Sequence, residues 1–207
     1  KIEIEGKTIL HTGDFRAHGY TGYLLEKVLR DYVKQVDILI TEGTMLGRKN
    51  EVVLLEADIE KNVAEALRKS KYVYVLCSST DIDRIRALHN ACKVTRRTFV
   101  CDSYQYSVLD IFNKYILSER YKFNRVFKLI NYKTKNVYQK LSHTGFLVMV
   151  RPSSYNRIKW MMRTYNDQPS ALIYSMWQGY HNGTQEQINE DIVKIRQLFG
   201  DNIYDGT

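Results

Sequence analysis

The chain has 207 residues, of which 44% are hydrophobic and 26% charged, and a formal net charge of +8. That length and mixture suit a soluble globular chain, one large domain or one domain with part of another, rather than a disordered one. No apolar run approaches the roughly 18 residues that cross a bilayer, and no signal peptide opens the chain. The three cysteines, Cys77, Cys92 and Cys101, lack CxxC spacing, which points to a reduced, cytoplasmic compartment; with no spanning run, no membrane partner is expected.

In chain order, Lys1–Glu5 and Thr8–Thr12 alternate like two strands turning at Gly6-Lys7, a β-hairpin. A helix follows, with the stripe Leu24, Leu25, Val28, Leu29, Tyr32 and Val33. Asp37–Thr41, rich in Ile and Leu, reads as a short buried strand. After the loop 42–50 the pattern alternates: helix near Asp58–Ser70, strand Tyr72–Cys77, helix Ile82–Cys92, strand Thr98–Cys101 and helical segments to about Leu141. Strand Phe146–Val150, helix Tyr155–Tyr165, strand Ala171–Ser175 and helix Gln185–Phe199 complete the chain. Strands separated by helices predict an α/β fold, a Rossmann-like, mainly parallel sheet with helices on both faces. The expected division is a strand–helix–strand piece over residues 1–50 and an α/β domain over 51–207. The chain starts mid-pattern at Lys1 and stops just after the last helix, so both ends read as cuts through a larger protein.

Two acids close apolar, β-branched runs. One is Asp14 in His11-Thr12-Gly13-Asp14-Phe15-Arg16-Ala17-His18-Gly19; the other is Glu42 in Asp37-Ile38-Leu39-Ile40-Thr41-Glu42-Gly43-Thr44. A carboxylate has two oxygens and can bridge two metal ions, which an imidazole cannot. From the residues alone, Asp14 reads first as a turn cap, and Glu42 also reads as a loop acid capping a turn or pairing with Arg48. Together the two strings resemble the second half of the active site of metallo-β-lactamase-fold nucleases of the β-CASP kind, the family that includes ribonuclease J. The resemblance implies a phosphodiesterase acting on RNA, less so DNA, with two zinc ions, Asp14 as a metal ligand and Glu42 as a catalytic residue organising the cleft. In that family the acid is commonly followed by Ser-Thr; here Glu42-Gly43-Thr44 lacks the intervening hydroxyl.

The family's His-x-His-x-Asp-His loop is absent. The five histidines are His11, His18, His89, His143 and His181, and no two lie within five residues. The expectation is therefore that this chain alone binds no zinc tightly and hydrolyses nothing.

Two further segments resemble the family more weakly. Cys77-Ser78-Ser79-Thr80-Asp81-Ile82-Asp83-Arg84 is similar to a strand, a Ser-rich turn and a helix start, which makes Ser78, Ser79 and Arg84 candidate substrate contacts. Asp81 and Asp83 already complement the helix dipole, and Thr80 with Asp83 has capping-box spacing, so a purely structural cap is the preferred reading and the substrate contact the lesser one. Ser175-Met176-Trp177-Gln178-Gly179-Tyr180 follows the last predicted strand, where α/β sheets bind ligands. Trp177 and Tyr180 either stack on a base there or close the core. Thr184 with Gln187 suggests another capping box, ahead of Ile188, Ile192, Ile195 and Phe199 facing inward.

From Arg120 to Lys140 lie seven Lys or Arg and no acid, interleaved with Tyr121, Phe123, Phe127, Tyr132 and Tyr138. That mixture suits a nucleic-acid strand, and equally a solvated helical lid. Competing functions are a non-catalytic RNA- or anion-binding α/β module, a family hydrolase with another substrate, and a nucleotide-binding domain. The last lacks any G-x-G-x-x-G or P-loop string. A homo-oligomer is compatible with the sequence.

Overall fold

The computed structural model describes residues 1–43, 54–130 and 133–206. The chain divides into two compact units, Lys1–Glu56 and Ala57–Thr207. Thr44, Arg48 and Tyr132 lie outside the described residues, as does the expected boundary near residue 50.

In the first unit, β1 (Ile2–Ile4) and β2 (Lys7–His11) form the expected antiparallel hairpin, and β3 (Ile38–Ile40) lies parallel to β2. The turn is centred on Glu5 and Gly6, at φ 48° and 72°, one residue earlier than expected. Two successive left-handed residues give a two-residue loop the twist of its strands. The predicted helix is broken into a 3₁₀ turn at Gly22–Leu24, α1 (Leu25–Val28) and a π-helical turn at Leu29–Val33. Lys34, at φ 58°, ends it. The expected burial of β3 is corrected: Ile38, Leu39 and Ile40 are 48%, 58% and 48% exposed. Successive residues point to opposite faces, so both faces of this three-stranded sheet are open.

The second unit is an α/β layer on one six-stranded, all-parallel sheet. Its strands are β4 (Tyr72–Cys77), β5 (Thr98–Cys101), β6 (Val126–Lys128), β7 (Phe146–Val150), β8 (Ser170–Ser175) and β9 (Ile203–Asp205), in the order β6-β5-β7-β4-β8-β9. The helices are α2 (Glu56–Lys69), α3 (Ile82–Thr95), α4 (Ser103–Tyr115), α5 (Lys135–Thr144), α6 (Tyr155–Thr164), α7 (Gly179–Asn182) and α8 (Glu190–Phe199). β4 and β7 are apolar throughout and wholly buried, as central strands covered on both faces must be. Tyr72, Tyr74, Leu76, Phe146, Val148 and Leu172 pack against Leu141 of α5, Ile158 and Met161 of α6, and Ile192, Ile195 and Phe199 of α8. The alternate residues face α2 and α3: Ile173 shares a cavity with Ile59, Val63 and Ala66, and the Phe99 ring meets His89 edge-on at 5.4 Å.

Four expectations need correction. β6 and β9 were not anticipated; each is a three-residue edge strand, too short for a periodic signal. The final helix starts at Glu190, not Gln185, because Asn189 caps it by accepting from the N–H groups of Asp191 and Ile192. Thr184 N–H does donate to Gln187 Oε1 at 3.0 Å, but that bond closes a separate turn and leaves Ile188 39% exposed. The cap of α3 is Asp81, which accepts from Arg84 N–H, while Asp83 accepts from the Tyr121 hydroxyl at 2.5 Å.

Candidate functional site

In the first unit, β2 and β3 run parallel with His11 opposite Ile40, so the chain leaves both strands at the same sheet end. Thr12 N–H donates to Ile40 O at 3.0 Å and carries the ladder one residue further. Gly13, at φ 61°, then turns the chain, a conformation that costs glycine nothing. Asp14 follows on the surface. Glu42, one residue beyond Thr41, is half-buried, and its Oε1 accepts from the Phe15 N–H at 3.2 Å. The structure thus brings the Asp14 loop and the Glu42 carboxylate together at the carboxyl ends of adjacent strands. His11 Nδ1 accepts from Gly13 N–H at 3.1 Å, which occupies that nitrogen. Asp37 anchors the opposite end: it accepts from Thr8 N–H at 2.8 Å and from Lys7 Nζ at 3.3 Å. Those donors, the Thr8 N–H foremost, hold its carboxyl below the usual range.

Among the described residues, no three His, Cys, Asp or Glu side chains converge as a metal would require. The zinc pair implied by the resemblance does not fit Asp14 and Glu42 by themselves; nitrogen donors would have to come from elsewhere.

In the second unit, β4 connects through α3 to β5 on one side and β7 connects through α6 to β8 on the other. Diverging connections from neighbouring strands open a crevice at their carboxyl ends, where open α/β sheets take ligands. Cys77 pairs with Ser175 in register, so the candidates following β4 and β8 share one edge. Ser78 is exposed and its Oγ lies 3.2 Å from Thr80 Oγ1. Ser79 is half-buried and its carbonyl accepts from Gln105 Nε2 at 3.2 Å. Arg84 is buried, and its Nη1 donates to Ser175 Oγ and to the Gly206 carbonyl. Its guanidinium therefore ties the start of α3 to the ends of β8 and β9. Trp177 and Tyr180 are 38% and 36% exposed, with ring centroids 5.4 Å apart at 85°, a stable edge-to-face pair.

A polar cluster that sequence reasoning missed lies beside them. Asp102, 8% exposed at the end of β5, caps α4 by accepting from Gln105 N–H at 3.0 Å. Its Oδ2 accepts from Arg151 Nη2 at 2.5 Å, with Arg157 Nη2 at 3.7 Å. Arg157 also donates to Ser154 Oγ at 2.8 Å, and the Arg151 guanidinium sits 5.3 Å over the Tyr104 ring. Two guanidiniums on one carboxylate leave a net positive edge. Forty-nine residues separate Asp102 from Arg151, a pairing no local pattern announces; the one sequence signal was Asp directly after a strand.

The three cysteines are buried and none is in a disulfide. Burial pushes the Cys101 thiol up to about 12 and the Cys92 thiol higher, so neither is a thiolate nucleophile at neutral pH. No family model matches the chain, and no curated protein matches it significantly.

Proposed function

We propose that this chain is part of a metal-dependent phosphodiesterase of the metallo-β-lactamase/β-CASP type acting on RNA. In this reading Asp14 is a metal ligand, Glu42 organises the cleft, and the Ala57–Thr207 unit holds the strand. The observation carrying the proposal is the juxtaposition of exposed Asp14 with Glu42, whose carboxylate accepts the N–H of the very next residue, Phe15. That hydrogen bond holds the backbone next to Asp14 in place, which a positioned ligand needs. The +8 charge supports an anionic substrate. Because a zinc pair does not fit these residues alone, catalysis needs a polypeptide that adds the histidine loop.

End-labelled RNA, incubated with such an extended polypeptide and with this chain by itself, tests the proposal. Zinc-dependent, chelator-sensitive cleavage by the extended polypeptide and none by this chain is the expected result. Robust hydrolysis by this chain alone, or an extended polypeptide inert with zinc, overturns it. A second reading, RNA binding without cleavage, is favoured by the lack of a converging donor set among the described residues; it predicts tight RNA binding by the extended polypeptide with no turnover.

A further inference from the structure

Residues 120–166 contain eleven of the chain's 31 Lys and Arg and none of its 23 Asp and Glu. Outside this segment 20 basic residues face 23 acidic ones, so the whole positive excess comes from here. Its first residues lie beside α3, where Arg86 Nη1 donates to Lys122 O at 2.9 Å and His89 Nε2 is 2.7 Å from Asn124 O; the remainder, from Val126 on, forms one run. It builds the edge strand β6, the helix α5, the central strand β7 and the helix α6, and α5 and α6 cover the same sheet face. Tyr138 of α5 stacks on Tyr165 at the end of α6, centroids 5.5 Å apart at 24°, so the two helices share one outer surface.

Leu141 of α5, and Ile158 and Met161 of α6, face the core. Helical spacing then puts Asn136, Lys140 and His143 outward on α5, and Asn156, Lys159 and Arg163 outward on α6. Several of these cations lie over aromatic rings: Lys133 Nζ is 6.0 Å from the Trp160 centroid, Lys140 Nζ 4.6 Å from Phe127, and Lys159 Nζ 5.8 Å from Tyr155. The nearby acid after α6, Asp167, is taken by Tyr72 OH at 2.5 Å and Lys71 Nζ at 2.9 Å. The two helices themselves therefore carry cations and rings and no acid, although Glu190 and Asp191 open α8, which packs beside α6 on the same sheet face. Cations among rings are the composition that single-stranded nucleic acids select.

We infer that the outer surface of α5 and α6 is a docking face for single-stranded RNA, with Lys133, Lys140, Lys159 and Arg163 against phosphates and Tyr138, 44% exposed, offering a ring to a base. It uses residues other than those of the carboxyl-end crevice, and it rests on the proposed function only for the choice of RNA as the strand.

Fluorescence anisotropy with a short labelled oligouridylate, in chelator, reads binding by this chain without any cleavage. Failure of the hydrolase reading would leave that readout untouched. The variant K133Q/K140Q/K159Q/R163Q is compared with a control, K61Q/R68Q/K69Q/K194Q, that loses the same charge from exposed sites outside the segment; thermal melts establish that both are folded. The docking face predicts binding weakened about 10-fold or more in the first variant only. The slope of log affinity against log salt should flatten by ~0.7 for each phosphate that is no longer neutralised. Equal weakening in both variants, no binding by the native chain, or stronger binding to phosphatidylserine vesicles than to the oligonucleotide overturns it.

Discussion

His89 shows how a single side chain is governed by its surroundings. It is 2% exposed, wedged edge-on between Phe99 and Phe123 at 5.4 Å each, with Nε2 2.7 Å from the Asn124 carbonyl. The carbonyl accepts, so Nε2 carries the hydrogen. Burial holds its pKa down at about 4, from an ordinary 6.5. The unfolded chain takes up a proton first, so stability from this group is fully present above pH 6.5 and is lost as pH falls towards 4. The full loss is about 3 kcal/mol. Urea melts between neutral pH and pH 4 should show it, and His89→Gln should remove that part of the slope; an unchanged slope contradicts the assignment. Asp102 is the complementary case. Asp102→Ala removes a helix cap and leaves Arg157 without its carboxylate, a loss of about 2–3 kcal/mol, whereas Asp102→Asn, which keeps the cap, should recover roughly half. Equal destabilisation by the two substitutions would show that the cap contributes nothing.

At the scale of elements, burial separates strands that look alike. Leu76 in β4 is fully buried and Leu39 in β3 is 58% exposed, although both sit in runs of aliphatic residues. Leu76→Ala should cost about 2–5 kcal/mol, and Leu39→Ala under about 1; equal losses in chemical denaturation would contradict the exposure of β3. The same contrast explains what the sequence made legible. β4 and β7 coincide with their predicted ranges, and β5 with Thr98–Cys101, because a central parallel strand is a short apolar run between helices. β6 and β9 escaped notice because edge strands of three residues pair along one side and carry lysine or acid at their ends. Capping spacings misled twice, at Thr80 and Thr184: a neighbouring acid or amide, Asp81 or Asn189, was better placed to take the free N–H groups. The strand-end acids Asp14 and Glu42 were legible because they lie in sequence at the ends of strands. The Asp102–Arg151–Arg157 cluster was not, since sheet order alone makes those residues neighbours.

For the molecule as a whole, the two units differ in what holds them. The central strands of the second unit are buried on both faces, whereas Ile2, Ile4 and the residues of β3 are about half exposed. Native-state hydrogen exchange should therefore find the amides of β4, β7 and β8 opening only with global unfolding, and those of β1–β3 opening with less free energy. Equal protection across both sheets would contradict the open faces of the first. No described helix is long and apolar enough to cross a membrane. The proposed chemistry falls in the less buried unit, where the Asp14 loop meets Glu42, and the proposed strand binding in the more buried one. The single-turnover rate of zinc-dependent RNA cleavage, compared between Asp14→Ala and Asp37→Ala in the extended polypeptide, separates a ligand from a structural acid. Asp14→Ala should lose about 100-fold or more, while Asp37→Ala, which releases Thr8 and Lys7, should lower the melting temperature and leave the rate near native. Cleavage by Asp14→Ala at the native rate would contradict the assignment of Asp14 to the reaction.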